Sequence, residues 1–576
     1  MTSATAERAG RTARERIRPP VTRQGVLLAV FCVLVVAGIA VSWRMTDFGV
    51  VTLFSGLGDM WSFVKSALPP AFSDPQYSFA AMMRDVALTV SMALLGTVIA
   101  TILSIPLGIL AARNTTPHPA VRVIARLVIT CCRAVPDLVF ALVFREALGI
   151  GVLPGVLALG LHSVGMLGKV YGDAIEQVPT GPREAVTTTG ASRFQTITSA
   201  VVPAVSPSIL SNAIYRFDIN LRSSVVLGFV GAGGIGFTLD ADMNTLNFRL
   251  SMGIIIVMTA LILVVEFLSA GLRSALIGNE QSAGRSRRWR LRRGRPINPA
   301  VSPAGLGSRG AAVKFDRDRV RPVLTVGRVV RSLVPYLVIA ILVGAWIDSG
   351  ISVAGFLDAP SELAHTLAQF YPPDFHTAAQ QLYGGLGDSV IAAVMGTFVG
   401  GIIAVPVAFL AARNIATPWV YWIVRVLLVI GRSVPELIIA IMFVVAVGPG
   451  LLAGVFALIV GTVAFLAKLV SDRLEEAAPG PRNAIRSTGA GSGQEVIAAV
   501  VPPALPGIVG NLLYMFDINF RSSILLGIVG AGGIGFLLSQ TIQTFTYQTT
   551  SAIVVLTFVV VVAIEQLSNW VRHALA

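Results

Sequence analysis

The peptide VGAGGIGF occurs twice in this chain, at 230–237 and again at 529–536. Its glycines have the G-x-G-x-x-G spacing with which dinucleotide-binding domains approach a pyrophosphate. That chemistry requires a preceding strand, a following helix and an acidic residue on a second strand, and neither copy has this context. We therefore reject a cofactor site. We predict instead that the glycines form a tight turn or a packing contact. Each copy ends a long apolar segment, which is interpreted below as the fifth membrane span of one half of the chain, and the glycines are expected at its outer end.

A second set of chemically capable residues consists of charges in or beside apolar segments, where a charge is costly and usually functional. The set comprises Arg133, Asp137, Asp218 and Arg222, their repeats Arg432, Glu436, Asp517 and Arg521, and the hydroxyls of Ser223, Ser224, Ser522 and Ser523. A guanidinium binds oxyanions through paired hydrogen bonds. One interpretation is that these residues, above all Arg222 and Arg521, line a translocation path. The alternative is that each acid and the base four residues away neutralise each other on one helix face.

The composition is that of a membrane protein. Of the 576 residues, 54% are hydrophobic and 13% are charged, whereas about 25% are charged in soluble domains. The net charge of +14 is concentrated before residue 24 and in 285–331, and both basic clusters flank apolar spans. We interpret this placement as orientation in the membrane and not as nucleic-acid binding, because no nucleic-acid motif accompanies the charge.

Apolar segments of sufficient length predict an all-α integral membrane protein of about 12 transmembrane helices. The predicted spans are 25–43, 86–112, 121–144, 152–171, 207–230 and 251–271, then 330–347, 389–412, 419–446, 449–469, 508–529 and 551–571. The positive-inside rule places the N-terminus, the C-terminus and a central basic linker in the cytoplasm. Since each half has an even number of spans, we expect two parallel six-helix repeats.

An internal repeat relates the two halves. The tetrapeptide AARN at 111–114 recurs at 411–414, and seventeen of the 22 residues of 216–237 are identical in 515–536. From the repeat, the spans and the charge we predict four regions. They are a basic tail at 1–23, a first half at 24–278, a basic linker at 279–327 and a second half at 328–576.

A polar segment lies between the fourth and fifth spans of each half, at 171–206 and 471–505. Each contains Gly-Pro-Arg, a short helical stretch, a glycine, and a proline thirteen residues after that glycine. The order predicts a helix, a break and a second helix on the cytoplasmic face, a suitable docking site for a soluble partner. The residues concerned are Arg183, Glu184, Ala185 and Gly190 in the first half, and Arg482, Asn483, Ala484 and Gly489 in the second.

This segment resembles the EAA loop of ABC-importer permeases, through Glu184-Ala185 followed by Gly190 and Pro203. The resemblance implies the type I permease fold, with two permease halves fused in one chain. It implies two copies of an ATP-binding cassette subunit that hold ATP and Mg, an extracytoplasmic binding protein, and no cofactor or enzymatic activity in this chain. Asn483 stands where the first half has Glu184, so the second half is expected to dock through shape or through Arg482 and Arg486.

The segment FDIN-x-RSS-x-x-LG-x-VGAGGIGF, with R-x-x-P-[DE]-L upstream, is similar to the phosphonate permeases of this family. The resemblance implies a multi-pass plasma (inner) membrane protein that passes phosphonates, or phosphite or phosphate, into the cytoplasm by alternating access. No G-x-x-x-x-G-K-[ST] loop is present, so the energy is expected from a partner.

Two other classes of function are alternatives to an ABC-importer permease. A twelve-helix secondary transporter driven by an ion gradient is the main alternative. An intramembrane enzyme using His162 and Ser163 is disfavoured, because adjacent side chains on a helix do not face each other.

Overall fold

The computed structural model describes residues 36–45, 58, 61–292 and 326–575. Within these ranges the regular secondary structure is helical, and the one β pairing is an isolated bridge between Asp74 and Tyr77. The helices of the first half are α1 (Phe79–Ala111), α2 (Pro119–Ala134), α3 (Asp137–Leu148), α4 (Val152–Glu176), α5 (Thr180–Thr187), α6 (Val202–Leu227), α7 (Ile235–Asn244) and α8 (Phe248–Arg292).

The second half repeats this order after two further helices. They are α9 (Val326–Asp348) and α10 (Val353–Gln369), followed by α11 (Ala379–Leu410), α12 (Pro418–Ser433), α13 (Glu436–Val447), α14 (Leu451–Glu475), α15 (Pro479–Ser487), α16 (Val501–Leu526), α17 (Gly533–Gln543) and α18 (Tyr547–Leu575). Helices α11 to α18 correspond in sequence to α1 to α8. The all-α membrane architecture predicted from the sequence is confirmed.

Eight helices of the described residues are long and apolar enough to cross a membrane, or up to eleven spans if each bent pair of helices counts as one. The predicted first span, 25–43, lies mostly outside the described residues. The predicted spans 121–144 and 419–446 are not continuous helices, because α2 and α3 are bent by 87° and α12 and α13 by 85°. A proline disfavours the helical conformation in the residue before it, and Val135 and Val434, which precede Pro136 and Pro435, are extended.

Helix α6 is the main part of a longer helical segment, 193–232, and α16 is the main part of 492–531. Each segment has 40 residues, which at about 1.5 Å per residue gives roughly twice the ~30 Å thickness of the hydrocarbon core. One end must therefore extend beyond the bilayer. The proline expected to restart the helix, Pro203 or Pro502, lies in the first turn of the α-helical part, directly after a π-helical turn.

The chain forms two compact units. One unit comprises residues 71–364, and the other comprises residues 365–576 with the residues before Ala71. In the 71–364 unit, α1 packs along α4, and α9 packs against α1. The hydroxyl of Ser91 on α1 donates a hydrogen bond to the carboxylate of Asp348 at the end of α9 (3.0 Å). The helix that follows the linker thus belongs to the unit built from the first half.

Helix α8 continues to Arg292, so the start of the predicted linker at 279–327 is helical. The rest of that linker, 293–325, lies outside the described residues, as does the basic tail at 1–23.

The repeated glycines end α6 and α16 in a tight turn, as predicted. Gly231 and Gly530 have φ of +94° and +93°, a conformation that costs glycine little and other residues much. The next helix then folds back against the one before it. A Cβ on Gly236 would overlap the carbonyl oxygen of Val225, and one on Gly535 would overlap that of Ile524. The turn therefore has a packing function in both halves.

We expect Gly236→Ala, and equally Gly535→Ala, to lower the yield of correctly folded protein strongly, because the added methyl group forces the two helices apart. The measurement is the monodisperse fraction in size-exclusion chromatography, with the thermal unfolding midpoint of what remains. Gly271→Ala is the matched control, since a Cβ there meets nothing within 4 Å and alanine favours a helix. Equal behaviour of Gly236→Ala and Gly271→Ala would contradict the packing argument.

Candidate functional site

The polar segment of each half forms the predicted helix, break and second helix. In the first half α5 is followed by Gly190 with a φ of +82°, and in the second half α15 is followed by Gly489 with a φ of +81°. We call α5 and α15 the docking helices. Glu184, Ala185, Asn483 and Ala484 are exposed on them, whereas Arg183 and Arg482 are partly buried. These two arginines therefore point back towards the protein.

Arg183 anchors the first docking helix to the end of α1. Its Nη1 donates a hydrogen bond to the backbone carbonyl of Asn114 (3.1 Å), and the Asn114 side chain donates to the carbonyl of Ile175 near the end of α4 (2.7 Å). In the second half Arg482 Nη2 donates to the carbonyl of Asn414 (3.1 Å), and Asn414 donates to Leu474 (2.7 Å). The same chain of contacts thus ties each docking helix to its own bundle.

A salt bridge closes this arrangement in both halves. In the first half Arg126 on α2 donates to the carbonyl of Ala111 (3.1 Å) and to Glu176 on α4 (2.8 Å). In the second half the counterpart Arg425 donates to Ala411 (2.9 Å) and to Glu475 (2.8 Å). None of these residues was predicted from the sequence to have a function. The signal was the repeated AARN tetrapeptide, with an arginine and a glutamate recurring 299 residues later.

The second docking helix differs from the first in how its charges are used. The second half was expected to dock through shape or through Arg482 and Arg486. Both arginines pair with Glu495 at the start of the next helix, each at 2.8 Å. The side chain of Arg486 is still 66% exposed, and the part of both arginines in docking stays a prediction. The first half has Thr187 and Thr196 at the positions of Arg486 and Glu495.

The charged residues of the fifth spans form the i,i+4 pairs that were one of the two interpretations. Arg222 Nη2 lies 3.5 Å from Asp218 and 3.0 Å from Glu266 on α8. In the second half Arg521 lies 3.1 Å from Asp517. Arg222 therefore ties α6 to α8 through Glu266 and also pairs with Asp218 on its own helix, which favours a structural role. The role of these residues in a translocation path stays a prediction.

The other proposed pair does not share one helix face. Arg133 ends α2 and Asp137 begins α3, on opposite sides of the bend at Pro136. Asp137 accepts a hydrogen bond from the backbone of Leu138 (3.0 Å). In the second half Arg432 and Glu436 flank the equivalent bend. The expectation that the two residues lie on one helix face was wrong here, because the proline interrupts the helix. Mutual neutralisation of Arg133 and Asp137 stays a prediction.

The serines of the predicted path have different surroundings. Ser224 and Ser523 are buried and donate to backbone carbonyls of their own helices, those of Leu221 (2.8 Å) and Phe520 (2.7 Å). Ser522 hydrogen-bonds the side chain of Glu436, and Ser223 is partly buried. Ser224 and Ser523 thus satisfy the helix backbone, whereas Ser522 joins α16 to α13.

A buried polar network crosses three helices in each half. Asn220 on α6 accepts a hydrogen bond from Ser163 on α4 (3.0 Å) and donates to Thr97 on α1 (2.9 Å). Its counterpart Asn519 accepts from Thr462 (3.2 Å) and donates to Thr397 (2.8 Å) in the same way. Buried amides satisfied from two sides specify one helix arrangement. The invariant asparagine of the FDIN repeat was the available signal.

His162 and Ser163, the residues of the enzyme alternative, have separate partners. His162 Nδ1 contacts the carbonyl of Val135 (3.0 Å). Ser163 also accepts a hydrogen bond from the buried Arg216 (2.8 Å). The two side chains do not form a nucleophile and base pair.

The repeated architecture agrees with the comparison with known families. A family profile described as "binding-protein-dependent transport system inner membrane component" matches residues 104–277 and again 404–576. The two matches together cover more than half of the chain. This chain is a member of that family. It is thus a multi-span membrane permease with two copies of the family's domain.

Named relatives transport phosphorus oxyanions. The "phosphate-import permease protein PhnE" of Mycolicibacterium smegmatis is 42% identical over 94% of this chain and 93% of its own length. The "phosphite transport system permease protein PtxC" of Stutzerimonas stutzeri is 39% identical over 43% of this chain and 88% of its own length. Among solved structures, the MetNI methionine ABC transporter covers 35% of this chain and 99% of its own matched chain at 26% identity and a TM-score of 0.33.

The first permease half carries a group of acids on the segment before α1, on α1 itself and on α7. Asp85 accepts hydrogen bonds from Tyr77 (2.7 Å) and Thr238 (2.6 Å). Burial and the neighbouring Asp74 raise the pKa of Asp242 to about 6, and its Oδ2 has no partner among the described residues. The second half has Thr541 at the position of Asp242. This acidic group is therefore a property of one half of the permease.

We expect Asn114→Ala to lower the free energy of unfolding of the permease by about 1 kcal/mol, because the carbonyl of Ile175 loses its donor. Asn414→Ala should cost the same, and the double variant should cost the sum, since the two sites share no residue. Denaturation of the purified permease in mixed micelles measures all three. Asn483→Ala, at an exposed asparagine, is the control without loss. A cost at only one of the two sites would show that the anchors are not equivalent.

The pKa of Asp242 predicts a pH-dependent stability. A carboxyl whose folded pKa is raised contributes stability at low pH and loses it as the pH rises through about 6. Asp242→Asn should therefore raise the thermal midpoint at pH 7.5, and the gain should disappear near pH 4.

Asp374 is the control of opposite sign. Hydrogen bonds from Thr377 and His376 lower the pKa of its carboxyl, so Asp374→Asn should lower the midpoint at pH 7.5. Shifts of equal sign for both variants would contradict this account.

Proposed function

We propose that this chain is the membrane-spanning subunit of an ATP-driven importer that moves a phosphorus oxyanion into the cytoplasm. Membership of the permease family and the two docking helices support the proposal. In this proposal one ATP-binding cassette subunit docks on α5 and a second on α15. ATP and Mg are held by those subunits, which supply the energy that this chain does not.

The observation that carries the proposal is the anchoring of the docking helices. Arg183 and Arg482 fix α5 and α15 to the ends of α1 and α11, and the exposed faces stay open to a soluble partner. A movement of that partner would be transmitted to the membrane helices through contacts within hydrogen-bonding distance. This linkage suits alternating access driven by ATP.

Phosphate is the first candidate substrate. The relative that matches nearly the whole chain, including the fusion of two halves, is named for phosphate import. Phosphonate is the second candidate, since a "putative cryptic phosphonate transport system permease protein" of Escherichia coli is 37% identical over its full length. An extracytoplasmic binding protein delivers the anion in either case.

The proposal also fixes location and orientation. The chain lies in the inner membrane with both termini in the cytoplasm, as the basic residues before residue 24 and in 285–331 indicate. The docking helices then lie on the cytoplasmic side. In this proposal the two permease halves, 24–278 and 328–576, lie on either side of the basic linker, and each includes one match to the family profile.

The test is uptake by proteoliposomes that contain the full chain with its candidate cassette subunit, with the candidate binding protein outside. Labelled phosphate is offered, with excess phosphate, phosphite or methylphosphonate as competitor. We expect uptake that depends on enclosed ATP and on the binding protein, falls at least tenfold with a cassette variant unable to hydrolyse ATP, and is competed best by phosphate.

The other outcomes are equally informative. Stronger competition by methylphosphonate or phosphite would identify that anion as the substrate in place of phosphate. The assignment as an ATP-driven importer would stand. Uptake that ignores ATP and collapses when the proton gradient is removed would overturn the proposal in favour of a secondary transporter.

A further inference from the structure

The two docking helices share backbone geometry and anchor, yet they place their acidic residue differently. In the first half the acid is Glu184, exposed on the docking helix itself. In the second half the corresponding residue is Asn483, and the acid is Glu495, beyond the break at Gly489. The position equivalent to Glu495 in the first half is Thr196, whose hydroxyl turns back to the carbonyl of Ser192 (3.0 Å).

Glu495 holds two arginines of the docking helix at once. One carboxylate oxygen accepts from Arg482 Nε (2.8 Å), and the other accepts from Arg486 Nε (3.1 Å) and Nη2 (2.8 Å). The glutamate side chain is 4% exposed and that of Arg482 is 19% exposed. Charge-assisted hydrogen bonds of this kind are short and directional. We call this group of three residues the clamp.

The clamp crosses a backbone break. Gly489, with its positive φ, separates α15 from the helical segment that begins at Ser492 and continues into α16. Arg482 and Arg486 lie on one side of this break and Glu495 on the other. Among the described residues of the first half, no ion pair crosses the corresponding break at Gly190. The first docking helix therefore lacks an ion pair to the helical segment that leads into α6, whereas the second has one to the segment that leads into α16.

The clamp also changes what the second helix offers to a partner. Its two arginines share the single carboxylate of Glu495, and its exposed face carries Asn483 in place of an acid. The exposed acid of the first helix, Glu184, remains available to a basic groove on a docking subunit.

We propose that Glu495 is a positioning residue that makes the second docking helix a rigid lever on α16, a constraint that the first docking helix lacks. The inference rests on the proposed function, since it assigns separate tasks to the two docking helices of that importer. In the half with the clamp, a movement of the docking helix is transmitted to α16 with little loss. The half without it relies on contact with the partner.

The first experiment measures substrate imported per ATP hydrolysed in proteoliposomes. Glu495→Gln should lower this ratio several-fold while the ATP-binding subunit still co-purifies, and Glu495→Asp should restore part of it. Glu184→Asn, which installs the residue of the second half, should weaken co-purification of the ATP-binding subunit several-fold. The complexes that still form should import the same amount of substrate per ATP hydrolysed as the unaltered protein. Glu476→Gln is the control, since that exposed glutamate pairs only with Arg473 three residues away on its own helix.

An unchanged ratio for Glu495→Gln would overturn the assignment. So would a loss of co-purification equal to that of Glu184→Asn, because both acids would then serve docking alone.

The second experiment needs no transport. In the full chain alone, Glu495→Gln should speed amide hydrogen exchange across 479–491 to the rate of 180–192 in the first half. The double variant Arg486→Thr with Glu495→Thr, which installs the first-half residues, should do the same. Unchanged exchange in both variants would overturn the clamp even if ATP-dependent uptake is found. Faster exchange without ATP-dependent uptake in the wild type would keep the clamp and refute the importer.

Discussion

A hydrogen bond from an arginine to the carbonyl at the end of a helix determines how the rest of this permease can work. The carbonyls of Asn114 and Asn414 lie just beyond the C-termini of α1 and α11, where a helix carries partial negative charge. Arg183 and Arg482 bind these carbonyls at 3.1 Å. Without this bond a docking helix would be a surface loop. With it, the docking helix is joined directly to the end of α1 or α11.

The two halves have diverged in ways that preserve contacts. At the crossing of α2 and α4, the first half has Cys132 against Gly165, and the second half has Gly431 against Ala464. The glycine is on α4 in the first half and on α12 in the second, and the two helices are in close contact in both halves. Similarly, Glu436 is longer than Asp137, and its carboxylate packs over Gly461, where the first half has His162. The two halves thus resemble each other more in the arrangement of their helices than in the residues at these helix contacts.

The sequence was sufficient for the long apolar helices, the repeat and the helix-break-helix segments, because each depends on local pattern. It was insufficient for contacts between distant residues. Glu495 pairs with Arg482 thirteen residues away across a break, and Arg222 pairs with Glu266 forty-four residues away on another helix, so no helical period reveals either. The bends at Pro136 and Pro435 were predictable from the rule for residues before proline, but the apolar run concealed them.

The membership of α9 in the 71–364 unit has a consequence for biosynthesis. Ser91 is made early, and its partner Asp348 is 257 residues further along the chain. While the ribosome synthesises the intervening segment, the face of α1 that will receive α9 has only lipid or chaperone as neighbour. The first half therefore completes its packing only after the linker has been translated and the next hydrophobic segment has been inserted. A fused chain guarantees that this segment arrives at the right partner in every molecule.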